Sequence, residues 1–317
     1  MDFLINFLAL GASLAILIWG ADKFVDSSSL LAKKLGINEL TIGLTVVALG
    51  TSAPEIFVGI SSVLNQSENI AMGAVVGSNV SNIALIFGVS CIGIALKPKD
   101  TPIIQLAPFL LSAVVLGITL HDLKVSTIDS ILLLIVFLYF LYVIINNKSE
   151  AHINVPLEKE DQNKSITLLF LAIGLIALIF GSRYAVIYAE KIAILLDISE
   201  LIIGLTIVAI GTSLPELAAT ISAIMKKKTD MVVGNVIGSN VLNITLVVPI
   251  IGFFSNVQLG QVLFSRDYFI MSIATIIFTL VVVIYSSKNI NITKIRFMGA
   301  LFLLGYIVYI LKLSNLI

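Results

Sequence analysis

The chain contains one unusual segment twice, and the number of apolar stretches between the copies decides how they can meet. Gly43 to Ile56 reads GLTVVALGTSAPEI and Gly204 to Leu217 reads GLTIVAIGTSLPEL, identical at ten of fourteen positions. Glu216 follows Glu55 by 161 residues, and the same interval carries Gly73, Gly77, Ser78, Asn79 and Asn82 onto Gly234, Gly238, Ser239, Asn240 and Asn243 without a gap. Each copy puts a proline and a carboxylate inside a stretch otherwise apolar enough to cross a bilayer.

Of the 317 residues, 58% are hydrophobic and 12% charged, more apolar surface than a soluble core can absorb. Apolar lengths of roughly 20 residues recur between polar breaks, as a hydrocarbon layer about 30 Å thick requires of helices. The expected architecture is all-α: a polytopic membrane protein of ten transmembrane helices in two inverted-topology five-helix repeats. The spans fall roughly at 4–27, 39–64, 70–96, 102–120, 127–146, 165–194, 200–225, 230–254, 267–286 and 296–312. Residues 1–146 form the first repeat, 147–164 a connecting loop too short for a folded domain, and 165–317 the second repeat. No basic region or small-residue cleavage pattern marks the first span, so it reads as a retained helix. Cys91 is the single cysteine, which excludes an internal disulfide and a cysteine metal cluster.

Lysine and arginine beside a span stay predominantly on the cytoplasmic side. Fourteen of the nineteen lie in or beside the odd-numbered connections, among them Lys33, Lys97, Lys159, Lys226, Lys227, Lys228 and Arg296. The chain therefore reads as a multi-pass protein of the cell membrane with both termini outside the cytoplasm. Its only bulk partner is the lipid bilayer; nothing suggests nucleic acid, and a monomer is expected. The triplet at 226–228 also invites a lipid-headgroup reading, with a plain topology signal as the simpler one. Because five spans separate the copies, an odd number, the second enters the membrane in the opposite direction. Inverted repeats of this kind are common in secondary transporters, whose sites lie near the midplane between the repeats.

Pro54 and Pro215 lack an amide hydrogen and should break their helices near Gly50 and Gly211. The freed carbonyls around Ala48 to Thr51 and Ala209 to Thr212 then become available to a cation, beside the hydroxyls of Thr51, Ser52, Thr212 and Ser213. Glu55 and Glu216 are the costly residues, at about 2.5 to 3.5 kcal/mol each for a charge at the bilayer centre. Ser52-x-x-Glu55 and Ser213-x-x-Glu216 also fit a structural capping box, although a neutral Gln would cap nearly as well. Ser78 with Asn82, and Ser239 with Asn243, are four apart and share a helix face. Taken alone they are interhelical glue. Beside two symmetric carboxylates they read as walls of one oxygen-lined site. Such a donor set suits a hard cation such as Ca2+ and not Zn2+ or Cu+, because His121 and His152 both fall in connections. It also leaves Ser52 and Ser213 without a base, against an intramembrane hydrolase; no enzyme and no cofactor are expected.

These paired GTS-x-PE and G-x-x-x-GSN-x-x-N segments resemble the alpha-repeats of the calcium/cation antiporter superfamily, and the chain is similar to its prokaryotic sodium/calcium exchangers. The resemblance implies that Glu55 and Glu216, with the carbonyls of Thr51 and Thr212, hold Ca2+ at a central site that Na+ also occupies. It further implies flanking Na+ sites at Ser52, Ser78, Ser213, Ser239 and the carbonyls of Ala48 and Ala209, with Asn82 and Asn243 lining the middle. Helices 1 and 6 would slide across this core, giving Gly20 and Gly181 a hinge role. Two departures stand out: Ala74 replaces the amide present at Asn235, and Asn243 stands where potassium-dependent relatives carry an Asp, which argues against a K+ requirement.

The implied function is electrogenic Na+/Ca2+ antiport by alternating access. H+/Ca2+ antiport is the alternative, weakened because no further acid occurs between Gly73 and Asn82 or between Gly234 and Asn243. A passive channel is disfavoured because two full carboxylates would trap Ca2+.

Overall fold

A computed structural model of the chain describes residues 2–93, 103–146, 164–197, 211–255, 258–287 and 291–313. We number its helices α1 (Asp2–Leu35), α2 (Glu39–Thr51), α3 (Ala53–Leu64), α4 (Glu68–Gly93), α5 (Ile103–Leu120), α6 (Thr127–Asn146), α7 (Lys164–Leu195), α8 (Leu214–Met225), α9 (Thr229–Phe254), α10 (Leu263–Tyr285) and α11 (Ile292–Leu313). Eight of them are each long and apolar enough to cross a membrane, and α2 with α3 makes a ninth span bent by 43°. The short apolar helix α8 occupies the second half of the seventh expected span; the residues before it, and the 147–163 part of the expected connecting loop, lie outside the described residues.

The least polar helices are not the innermost, which is the signature of a lipid solvent. Only 17% of the apolar stretch of α1 is buried, against 78% for α4 and 83% for α9, which carry the Ser and Asn motifs. Helices facing lipid gain nothing by hiding leucine, so Leu4, Phe7, Ile18 and Trp19 stand exposed on α1. The interior is instead where polar groups find partners: Ser78, Asn79, Asn82, Ser239, Asn240 and Asn243 are all buried.

Without a hydrophobic drive between them, membrane helices associate through close packing and small residues. α1 and α7 cross antiparallel on three glycines. A methyl group on Gly20 would sit 2.5 Å from the Leu178 amide nitrogen, one on Gly181 would sit 2.5 Å from that of Leu17, and one on Gly174 would sit 2.6 Å from that of Phe24. These contacts are reciprocal, since Leu178 and Gly181 lie 161 residues beyond Leu17 and Gly20. Both helices run unbroken through their glycines, which serve as contact notches. α9 lies as closely on α2, where a methyl on Gly238 would meet the Leu44 carbonyl at 2.5 Å. That approach delivers Asn235 and Ser239 to the end of α2.

Candidate cation site

The site begins at the bend between α2 and α3. The break falls at Ser52 (φ −83°, ψ 4°), two residues beyond the expected position near Gly50. Pro54 explains the shift: it occupies the first turn of the new helix, where the missing amide hydrogen is not needed and the ring does not clash. The Ala48 carbonyl is consequently not freed. It accepts the Ser52 amide at 2.9 Å and lies 3.4 Å from the Thr51 hydroxyl.

The bend places Glu55 in the first turn of α3, and the start of α8 does the same for Glu216. Both carboxylates therefore sit at the positive ends of helix dipoles. Both are buried, at 5% and 1% exposure. The capping-box alternative fails on geometry. Neither Ser52 nor Ser213 caps its own helix through its side chain, and the Ser52 amide is taken by Ala48. The Ser52 hydroxyl instead donates across the molecule to Glu216 Oε1 at 3.5 Å, while Ser78 on α4 donates to Glu55 Oε1 at 3.4 Å.

The hydroxyl of Thr51 is fully buried and lies 3.4 Å from the Ala48 carbonyl, 3.3 Å from Asn235 Oδ1 and 3.5 Å from Ser239 Oγ. Asn235 in turn donates to Thr220 at 3.4 Å. The amide present only in the second copy is thus spent on orienting a hydroxyl of the first. The structure brings Thr51, Ser52, Glu55, Ser78 and Ala48 together with Glu216, Asn235 and Ser239. Ser213 is buried, with no hydrogen-bond partner for its hydroxyl among the described residues. Thr212 is exposed where Thr51 is buried, so the two copies are not equivalent here, and Ala209 lies outside the described residues.

At the centre, α4 and α9 meet through four asparagines. Asn82 Nδ2 donates to Asn240 Oδ1 at 3.2 Å, and Asn243 Nδ2 donates to Asn79 Oδ1 at 3.2 Å. Exchanging each residue for its counterpart 161 positions away turns one contact into the other, so the two copies approach each other isologously here as they do at α1 and α7. Asn79 also sends its Nδ2 toward the Asn240 carbonyl, at 3.4 Å, which leaves its Oδ1 to accept from Asn243. With their NH2 groups held this way, Asn82 and Asn243 each retain a buried Oδ1 that accepts no hydrogen bond among the described residues. Glu55 Oε2 and Glu216 Oε2 are in the same condition. Both helices change to a π turn at these asparagines, at Asn82–Phe87 and Asn243–Val247, an irregularity that widens the helix and recurs at functional sites.

Buried polar atoms without partners are costly, and two symmetric pairs of acceptors without hydrogen-bond partners among the described residues suit a positive occupant. Among the described residues no cluster of three or more His, Cys, Asp or Glu exists, so two carboxylates carry all the formal charge and the other donors are neutral oxygens. Hard cations take such a set, since carboxylate, amide and hydroxyl oxygens can replace their water.

Asn79 and Asn240 are the residues that sequence reasoning underrated. Both stand in the repeated motif, but only the rotation of α4 against α9 shows that they aim their neighbours' oxygens. Asn79→Ala or Asn240→Ala is expected to weaken Ca2+ binding about 10- to 100-fold, the usual cost of losing a group that orients a ligand. Isothermal titration of the purified variants reads this directly, and wild-type affinity in both would show that the central amides need no such support.

Comparison with known proteins finds relatives over nearly the whole chain. A family model described as sodium/calcium exchanger protein matches residues 5–146 and 166–314. Inner membrane protein YrbG of Escherichia coli is 35% identical over 280 residues, covering 84% of this chain and 85% of that protein. Sodium/calcium exchanger MaX1 of Methanosarcina acetivorans is 30% identical over 353 residues, with 98% of each chain covered. Among solved structures, the sodium-calcium exchanger NCX_Mj soaked with 10 mM Na+ and 10 mM Sr2+ superposes with a TM-score of 0.81 at 32% identity, covering 98% of this chain and 97% of that one.

Proposed function

This chain belongs to the sodium/calcium exchanger family, and on that premise we propose that it exchanges Na+ for Ca2+ across a membrane, through one site built from Glu55, Glu216 and the neutral oxygens around them. It is a transporter of these ions and not an enzyme, and neither ion is a resident cofactor. The observation that carries the reading is the set of four buried acceptors, Glu55 Oε2, Glu216 Oε2, Asn82 Oδ1 and Asn243 Oδ1, that have no hydrogen-bond partner among the described residues. In this reading Ca2+ takes both carboxylates with the carbonyls of Thr51 and Thr212, and Na+ takes the same centre and the flanking oxygens of Ser52, Ser78, Ser213, Ser239, Ala48 and Ala209. The neutral Asn243 removes a reason for K+ to be carried.

The ten-helix plan with two inverted repeats belongs to the same proposal. The reciprocal contacts of Leu17 with Gly181 and of Gly20 with Leu178, together with the crossed asparagines, support it. A single chain contains every group of the site, which supports a working monomer. Access alternates between the two sides as α1 and α7, held to each other through their glycine notches, move as a pair across the core.

Competition tests the site. Na+ should displace bound Ca2+ from purified protein with a steepness above one Na+ per Ca2+, and K+ at equal concentration should not. Displacement by both ions alike would mean general screening and no sodium site. Orientation is tested separately by impermeant labelling of single cysteines in a Cys91-free background. A cysteine at position 154 should resist label from outside sealed cells and one at Ser67 should react; the opposite pattern would reverse the proposed placement of both termini outside the cytoplasm.

A further inference from the structure

At the far end of α1 from its lipid-facing stretch, the structure has an open cavity of about 490 Å3 that ion exchange does not use. Lys23, Lys33 and Lys228 line it with Asp26, Ser29 and Thr167. α1 supplies the first two lysines, α7 the threonine, and the turn between α8 and α9 the third lysine. Phe170, 41% exposed, and Leu30 form an apolar side of the same cavity.

The charges inside do not cancel. Asp26, the one carboxylate lining the cavity, is already engaged by Lys226 at 2.6 Å, and Lys226 also pairs with Asp22. Lys34, beside the cavity, donates to Thr167 at 2.8 Å. Glu39 lies near Lys228 but receives the Ser29 hydroxyl at 3.4 Å. In and beside the cavity Lys23, Lys33, Lys34, Lys226 and Lys228 outnumber Asp22, Asp26 and Glu39, so a positive excess remains there. Burial lowers the Lys228 pKa from its usual value; Glu39 and Asp26 work against that, and Lys226 and Lys33 add to it. Like charges grouped around one cavity are costly without an anion between them.

We propose that this cavity binds a phosphate-bearing anion, with Lys23, Lys33 and Lys228 around the phosphate and the hydroxyl of Thr167 as a further donor. Two sources share that chemistry, an anionic lipid headgroup and free phosphate. The apolar side at Phe170 and Leu30, at the end of membrane-crossing helices, suits a lipid whose chains run down beside α7. The cavity joins α1 and α7 to the turn leading into α9, so an anion there ties the mobile pair to the core and regulates the rate of exchange.

The test uses the full chain purified in detergent, titrated with dioleoyl phosphatidylglycerol, dioleoyl phosphatidylcholine or inorganic phosphate, with the melting temperature as readout. Phosphatidylglycerol should raise it saturably and phosphatidylcholine should not. Lys23→Gln, Lys33→Gln and Lys228→Gln should each weaken the phosphatidylglycerol effect about fivefold, the worth of one lysine at an anionic headgroup. Lys124→Gln, on a different connection, should leave it unchanged. Stabilisation by inorganic phosphate that is lost in the same variants would identify free phosphate as the ligand of the same site. Equal stabilisation of wild type and the triple variant, or no preference for either phosphate-bearing anion over phosphatidylcholine, would overturn the proposal.

Discussion

Glu55→Gln and Glu216→Gln should each abolish Ca2+ transport in a protein that still folds. An amide has nearly the shape of the carboxylate and keeps a neutral oxygen donor, but half of the negative charge that offsets Ca2+ dehydration is gone. Removing one partner of a buried charge pair costs about 3 to 5 kcal/mol, so binding should fall at least about 100-fold. The expected effect on stability has the opposite sign from that of a structural cap. Each glutamate keeps a buried Oε2 without a donor in the ion-free chain, and a neutral amide relieves the cost of burying that charge. Melting of the ion-free variants should therefore be unchanged or higher, while Ca2+ no longer raises it. A variant that transports Ca2+ near the wild-type rate would make the carboxylates structural and dissolve the site.

This outcome separates what the chain discloses on reading from what only its folding discloses. The repeated GTS-x-PE segments name the glutamates, because a charge in apolar surroundings twice at one interval has no cheap structural excuse. They also locate the broken helix, since proline acts on its own neighbourhood; the two-residue shift to Ser52 arises because Pro54 could be accommodated in a helix start. The four-residue spacing of Ser78 and Asn82 places them on one face, but spacing alone cannot say toward which neighbour that face turns. The crossing of α4 and α9 decides that Asn79 and Asn240 hold the amides of Asn243 and Asn82. The π turns at Asn82 and Asn243 are likewise silent in the sequence, since no residue type demands them. The use of Asn235 by Thr51 joins residues 184 apart. Only the close approach of α9 to α2 brings them together.

Coupling is the claim that everything else serves, and charge gives it a direction. Two carboxylates balance one Ca2+, so the loaded site is near neutral and can be carried between the two sides at modest electrostatic cost. An empty site lacks that balance and should not make that transition readily. Sodium must therefore refill it before the site returns. Two Na+ would balance the carboxylates, and the oxygens at Ala48, Ser78, Ala209 and Ser239 offer room for a third, which would move net positive charge with sodium.

Purified protein in sealed liposomes loaded with Na+ and diluted into Na+-free medium should accumulate Ca2+ from outside. An inside-positive potential should speed that uptake by favouring the exit of three Na+ for each Ca2+ that enters. Without Na+ inside, a pH gradient of either sign should drive none. Uptake driven by the proton gradient alone would contradict sodium coupling and make the protein a proton antiporter, and sodium-driven uptake that ignores voltage would leave exchange intact with two sodium ions instead of three.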